Sequence, residues 1–542
     1  MTNKSLVVCA FWVAAQVLAA QTGRPSEVTV GTERFVRAPA NVPHPPVSDA
    51  ERQAMRQLSD AMRAAADALV NNNPPSPPGR PLVRDPQTVL ANPRLTVAPA
   101  TPDAFVLGGS VINPNLPLAG QTSIVEPSVS NMSLQAFYLS NDRVDFTSDG
   151  GQTFTQVPIP GGPPDAPNFC CDQTIVYDPS HSMWLWSRLY TKGVNGVVQI
   201  SVIKNAPTIA CTFTRDPGGS ANNIKPDYPQ LGLSDNKLYL STSEFQNGVW
   251  FRDRMLRFDL DEMAACPASV SSRFVAWNGP AKRVWTPVRG AKEIMYWGQF
   301  ENTTQLRIWT WPESDNAPTN VVKTVQQTTF ANSDCRGGTN NLDWIESKGW
   351  GIGEGFMRGA LARGGVGSEN PACQRLHFYW NAANDATHPQ AYIRSAVFEL
   401  PSLTLVAEPN INSDEFCYGY ADVHPNARGD LGVTLAFGGR NGGNGRALGA
   451  GVAIEDEFTA GFNLNTVFVT TDGTDMPAGQ RYGDYLSVKP HEPCPLWWTA
   501  GNYAFVGGGN TANLVGRYLE FGRERDQNCW ERWNEVTPKV LP

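Results

Sequence analysis

The chain has 542 residues, of which only 17% are charged and 41% hydrophobic, with 49 Gly, 43 Pro, 16 Trp and 24 Phe. That hydrophobic share supports a large core and excludes global disorder. The formal net charge of −8 gives no basic footprint for nucleic acid and argues against docking on anionic membranes.

Residues 1–20 read MTNKSLVVCAFWVAAQVLAA. Lys4 gives a positive start, Leu6–Ala20 is apolar apart from Gln16, and small residues close the run. This is the pattern of a secretory signal peptide cleaved after Ala19 or Ala20, and the run is too short to span a bilayer. A secreted or periplasmic protein is expected, with no membrane span. Nine cysteines follow the leader, and export permits disulfides. Cys335 with Cys373 and Cys494 with Cys529 each bracket one stretch of strands and are the expected pairs; Cys211 with Cys266 is another. Cys170-Cys171 either close on each other or send one partner to Cys417. One thiol of the nine is left over. No C-x-x-C or H-E-x-x-H spacing marks a zinc site.

Residues 21–103 form an N-terminal extension. Ser48-Asp49-Ala50-Glu51 has capping-box form, and Met55, Leu58, Met62, Ala66 and Leu69 then recur at helical spacing. A helix is expected over about 48–71, stopped by Asn71-Asn72-Asn73-Pro74-Pro75 and followed by a Pro-rich linker. From 104 to 542 the chain reads as strand and turn. Apolar-aromatic runs such as Met183–Leu189, Lys237–Ser241, Leu306–Trp311 and Arg375–Trp380 alternate with clusters of Gly, Asn, Asp and Pro. Seven segments read as starts of innermost strands: Glu126-Pro127, Asp172-Gln173, Asp227-Tyr228-Pro229, Pro287-Val288-Arg289, Cys335-Arg336-Gly337, Tyr420-Ala421-Asp422 and Gly483-Asp484-Tyr485. They lie about 45 to 85 residues apart, the range of four-stranded repeats with inserted loops. The fold class expected is all-β, a seven-bladed β-propeller with six blades as the alternative.

Thr147–Phe154, TSDGGQTF, fits the pattern Ser/Thr-x-Asp-x-Gly-x-Thr-Trp/Phe. Asp149-Gly150-Gly151 supplies the positive-φ positions of a tight hairpin turn, and Phe154 is placed to pack beneath it. With the runs DQTIVYDPSHSMWLW, KPDYPQLGLSDNKLYLST, YADVHPNARGDLGVTLAFG and RYGDYLSVKP, residues 104–525 resemble the secreted bacterial propellers with BNR/Asp-box repeats, a sialidase-like and glycosyl-hydrolase-like group. The resemblance implies a propeller and, for those members that are enzymes, glycoside chemistry. The chain departs from true sialidases: it has no Phe/Tyr-Arg-Ile-Pro motif, and Tyr392-Ile393-Arg394-Ser395 breaks off at the proline.

Polar residues at innermost-strand starts surround the mouth of a propeller's channel. On that reading Asp172, Asp227, Asp422 and Asp484 are the candidate catalytic carboxylates. Glu126, Tyr228, Arg289, Arg336, His424 and Tyr485 are candidate substrate-binding residues. Two carboxylates can divide acid and nucleophile or base work on a glycosidic bond; a carboxylate ring could equally hold Ca²⁺, which prefers oxygen ligands. Each Asp also has a structural alternative as a cap of its own turn. His424 follows Asp422 by two, so strand alternation places both on one side, and it is the one candidate proton carrier. No Ser-His-Asp order or G-x-S-x-G elbow is present. The sequence thus favours an exported carbohydrate-active enzyme, with a glycan- or protein-binding propeller as the alternative and an adhesive module as the third.

Overall fold

In the computed structural model, the described residues are 28–38, 89–91, 105–112 and most of 125–526. The expected signal peptide and the helix over 48–71 lie outside them. The described part is all-β: six sheets whose strands are antiparallel apart from Val89–Ala91, which pairs parallel with Thr466–Thr471, with one short α-helix, Leu260–Ala265, capped by the Asp259 side chain.

Strands follow one another as meanders. Ser128–Met132, Gln135–Ser140, Arg143–Thr147 and Thr155–Gln156 form one sheet in chain order. Asn168–Asp178 begins a second run that ends at Thr208–Arg215, and Ile224–Leu233 a third that ends at Ser269–Trp277. The N-terminal strand Val28–Arg37 joins these two runs into a single nine-stranded sheet, pairing with Thr208–Arg215 on one side and Ser269–Trp277 on the other. This strand was not expected in the extension. It satisfies the outer edges of both runs, which would otherwise present unpaired N–H and C=O groups, and it buries Phe35 fully. At the other end, Phe105–Ile112 pairs with Asn513–Arg523, so an N-terminal strand completes the last sheet.

The first strand of each run lies against the first strand of the next, and Ser487–Pro490 returns to Ser128–Met132. Between Ile224–Leu233 and Arg358–Arg363 the gap is filled by residues 286–289. Val288 N–H donates to Tyr296 O (2.9 Å), Arg289 N–H to Gly359 O (2.8 Å) and Leu361 N–H to Arg289 O (2.9 Å). The result is propeller-like: a ring of inner strands with sheets radiating outward and apolar side chains packed between neighbouring sheets. One such core is a tryptophan cluster in which Trp297 and Trp309 stack at 5.5 Å, while Gln299 Oε1 accepts from Trp285 Nε1 (2.6 Å) and Trp309 Nε1 (3.0 Å).

One expected inner strand is misplaced. Cys335-Arg336-Gly337 is not on the ring; it pairs with the far end of Leu431–Asn441. The inner strand of that run is Arg358–Arg363. Its small residues give no strand signal, and Gly359 is required because a Cβ there would meet Val288 Cγ2 at 2.6 Å. The cysteine pairing changes with it. Cys335 bonds to Cys417, not Cys373, because both flank the same end of Leu431–Asn441, opposite Asn441 and Gly438. Cys211 bonds to Cys266, and Cys170 to Cys171. Cys494 is disulfide-bonded to a residue outside the described set; Cys529 lies outside it too. No helix among the described residues is long and apolar enough to cross a membrane.

Candidate functional site

The inner strands carry a common irregularity. Where they meet their second strands, the register slips between Asp227 and Gln230 and between Gly419 and Asp422. Tyr228 (φ 53°) and Tyr420 (φ 58°) sit at these bulges in the left-handed region, and Glu126 (φ 47°) precedes its strand in the same conformation. Non-glycine residues held there store strain, and such positions cluster at functional sites.

Three hydrogen bonds between inner strands fix which residues share a level around the ring. Ile175 N–H donates to Ser128 Oγ (3.1 Å), Val129 N–H to Ser487 Oγ (3.3 Å) and Val488 N–H to Asp422 Oδ2 (2.9 Å). Ser128, Thr174, Asp422 and Ser487 therefore lie on one level. Arg358 adds Gln230 to it by donating to Gln230 Oε1 (2.6 Å) while its Nε stands 3.7 Å from Asp422 Oδ1. Two residues earlier on these strands come Glu126, Asp172, Tyr228, Tyr420 and Tyr485, nearer the strand starts. Asp227 and Asp484 are one residue earlier still.

This register separates the four candidate aspartates. Asp172, Asp227 and Asp484 lie at the strand starts. Asp484 N–H donates to Glu126 Oε1 (2.9 Å), and the Tyr485 hydroxyl is pushed well above its usual pKa by burial and then by Asp172, Glu126 and Asp484. Asp227 Oδ1 accepts from its neighbour Tyr228 N–H (3.0 Å), the turn cap foreseen as the structural alternative. Asp172 and Asp227, on adjacent inner strands, place carboxylate oxygens and the Cys171 sulfur within 4.8 Å of one another. Asp422 does not join them. It lies deeper in the channel between Arg289 (3.9 Å) and Arg358 (3.7 Å). Burial would raise its pKa, but those arginines, Lys489 and the Val488 N–H hold it below the usual carboxylate range.

Arg289 is on the ring beside Asp422. Arg336 is off it, 42% exposed and paired with Asp334. His424 lies beyond Asp422 on the same strand, as alternation required. Its Nδ1–H donates to Pro425 O (2.7 Å), and burial, reinforced by Lys489, lowers its pKa to about 3. A histidine neutral from about pH 3 upward does not carry protons near neutrality. Three channel residues escaped the sequence reading: Gln230, Arg358 and Lys489. Lys489 could have been found by stepping two residues on from Ser487 along an alternating strand.

As a cation site, the Cys171–Asp172–Asp227 group is thin. The Cys171 sulfur is engaged in the bond to Cys170 and offers no thiolate, which leaves two carboxylates where Ca²⁺ takes about six to eight oxygens. As a carboxylate pair on neighbouring strands, the two aspartates suit two-carboxylate hydrolytic chemistry.

No family model matches the chain, and neither does any curated protein sequence. Among solved structures it is similar to a hypothetical selenium-binding protein from Sulfolobus tokodaii, with 9% identity, 62% of this chain and 78% of that one covered, and a TM-score of 0.33. It is similar too to an α-L-arabinanase from Penicillium chrysogenum (7% identity, 73% and 96% covered, TM-score 0.32). A third is an endo-arabinase from Bacteroides thetaiotaomicron (11% identity, 65% and 98% covered, TM-score 0.29). At these scores the likeness says nothing about chemistry, so the function has to be argued from the site.

Proposed function

We propose that this protein is an exported seven-bladed β-propeller of the BNR/Asp-box kind that hydrolyses a glycosidic bond where its inner strands begin. The observation that carries the reading is the approach of the Asp172 and Asp227 carboxylates to within 4.8 Å on adjacent inner strands. Glycosidases that retain configuration hold their two carboxyl groups about 5–5.5 Å apart, and inverting ones about 6.5–9.5 Å. An approach of under 4.8 Å between single oxygens is compatible with the retaining arrangement. Glu126, Tyr228, Asp484 and Tyr485 then form the polar wall that orients the sugar. Three sets of strand-to-strand contacts support the blade count: the closed order of inner strands, the 286–289 segment in the seventh place, and the N-terminal strand completing the last sheet. The disulfides support export.

The test is hydrolysis of a panel of chromogenic glycosides and plant and bacterial polysaccharides by the full chain, with Asp172→Asn and Asp227→Asn alongside. Expected is turnover by the parent, lost by about 10³-fold or more in either variant, with azide restoring turnover in the nucleophile variant. A second reading rests on the near-complete burial of both carboxylates, 5% and 7% exposed: a non-catalytic propeller that binds glycan or a protein partner. Saturable glycan binding without turnover would select it, and neither binding nor turnover across the panel would remove the first reading.

A further inference from the structure

At the opposite end of the channel, where the inner strands finish and turn outward, lies a cavity of about 530 Å³. Its floor is basic. Arg289 and Lys489 form it, with Arg358 and Asp422 immediately below. Both floor side chains are more than nine-tenths buried, at 6% and 7% exposure. Arg289 uses Nη1 on Leu231 O and has Nη2 3.9 Å from Asp422, while its Nε has no hydrogen-bond partner. The Lys489 ammonium makes no hydrogen bond to any described residue, and the charges that act on it are Arg289, Asp422 and Arg358.

The other charged groups of the wall do not answer them. Asp178 is held by Ser180 and His181. Arg428 is paired with Asp526 and Asp430, and Lys292 with Asp235 at the exposed rim. Glu492 also lines the chamber, its carboxyl pushed up by burial, and burial lowers His424 to about 3. Arg289 and Lys489 thus face Asp422 together with Arg358 at the channel centre, and both open on a chamber large enough for a small ligand. Burial of an ammonium without a partner costs far more than burial of a paired one, and guanidinium and ammonium groups side by side are the usual recognition chemistry for carboxylate and phosphate oxygens.

We propose that this chamber binds a small oxyanion, a carboxylate- or phosphate-bearing ligand seated on Lys489 and Arg289. The site is separate from the Asp172–Asp227 pair at the other mouth, so failure of either proposal leaves the other standing. Binding restores the missing negative charge and raises the Lys489 pKa towards its usual range.

The experiment is calorimetric titration of the full chain at low ionic strength with inorganic phosphate and with glucuronate, against chloride as control. Saturable one-to-one binding of at least one oxyanion is expected, weakened at least tenfold in Lys489→Met and less than threefold in Lys292→Met at the rim. Preference between the two probes tells a phosphate ligand from a carboxylate one. A second measurement needs no variant: labelling by trinitrobenzenesulfonate, followed by peptide mapping, should modify Lys489, and the preferred oxyanion should protect it while leaving Lys292 reactive. Binding no better than chloride, equal binding by Lys489→Met, or labelling of Lys489 indifferent to both oxyanions would overturn the proposal.

Discussion

Among the described residues, two clusters gather three basic side chains around a buried carboxylate, Glu244 or Asp422, and they are treated differently. Beneath the N-terminal strand, Arg215, Arg252 and Arg254 surround the fully buried Glu244, with contacts of 2.5, 2.5 and 3.1 Å. Glu33 from that strand adds a second carboxylate, 2.5 Å from Arg215 and 2.8 Å from Arg254. In the channel, Arg289, Arg358 and Lys489 surround Asp422, whose contacts to the two arginines are 3.9 and 3.7 Å, with Asp484 acting more weakly on Arg358. The electrostatic outcomes differ most at the acids and at Lys489, because burial lowers Arg254 of the closed network to about 10 as well. Burial alone would raise Glu244, yet its three arginines hold it at about 2, and Arg215 is raised. In the channel burial prevails: Arg358 falls to about 10, with Asp422 only partly opposing, and Lys489 falls well below its usual value. A closed network is a structural device that locks two runs and an N-terminal strand together; an open one is a place prepared for an absent charge.

The largest expected effect breaks the closed network. Glu244→Gln leaves Arg215 and Arg254 with Glu33 as their carboxylate and takes the ion pair from Arg252, and removal of one partner from a buried ion cluster costs about 3–5 kcal/mol. Urea unfolding should show it, and a loss below about 1 kcal/mol would mean that solvent already screens the cluster. Asp422→Asn should cost less, about 2 kcal/mol, because its ion pairs are longer than hydrogen bonds. The sharper contrast is Lys489→Met. Removing a cation from the closed network destabilises; removing this one should leave stability unchanged or raise it by about 1 kcal/mol, since a desolvated charge with no partner is lost. A clear drop in the thermal transition would show that Lys489 has a structural anion.

Next comes a pH effect in a third environment, where the one cation acting on the carboxyl, Arg375, does not offset its burial. Glu455 accepts from the Tyr379 hydroxyl at 3.2 Å, and burial raises its carboxyl to about 8. The unfolded carboxyl titrates near 4.3. Between those values the native state holds a proton that the unfolded chain has released, so stability falls as pH rises through that window. His377 and His424, both lowered to about 3 by burial first, act with the opposite sign below about pH 6.5, where the unfolded imidazoles take up protons and the native ones do not. From pH 6.5 to 8 these two histidines are silent, and the groups that still shift there, His181 raised by Asp261 and Asp178 and the lowered Lys489, are common to the parent and a Glu455→Gln variant. The parent should lose stability across that interval relative to Glu455→Gln; parallel pH profiles for the two proteins would refute the assignment.

The sequence showed strand periodicity and turn chemistry well, because both are local. Of its seven expected inner-strand starts, those at Glu126, Asp172, Asp227, Arg289, Tyr420 and Asp484 lie along the inner ring and Cys335-Arg336-Gly337 does not. It missed Arg358–Arg363, whose Gly and Ala residues are dictated by a neighbouring strand rather than by their own propensity. The Val28–Arg37 strand was hidden for the same reason: its partners are about 175 to 250 residues away, and nothing local distinguishes it from a linker. For the site, strand starts were found but not depth. Asp422 and Asp227 look equivalent in sequence, yet the first follows the Tyr420 bulge by two residues and the second precedes Tyr228 by one. A bulge moves a side chain by a level, and that shift separates a channel ion pair from a mouth carboxylate.

The smallest predicted effect tests the local end of that scale. In the turn Thr147–Phe154, Asp149 Oδ1 accepts from Thr153 N–H (2.9 Å) and from Thr147 Oγ1–H (2.7 Å), and Oδ2 accepts from Thr153 Oγ1–H (2.6 Å). Thr147 Oγ1 in turn accepts from Gly151 N–H (3.0 Å). Gly150 (φ 71°) and Gly151 (φ 83°) take the left-handed positions, and Phe154 packs 5.7 Å from Tyr518 of another sheet. All the polar partners lie within six residues and the turn is partly exposed, so water can replace the lost bonds. Asp149→Ala should therefore cost only about 1 kcal/mol, in contrast to the buried network of Glu244. Gly151→Ala should cost at least as much, because its positive φ is strained for any side chain. If Asp149→Ala instead approached the Glu244→Gln loss, the turn would be a long-range anchor through Phe154 and Tyr518 rather than a local one, and a Phe154→Ala variant should then reproduce the loss with the turn's hydrogen bonds intact.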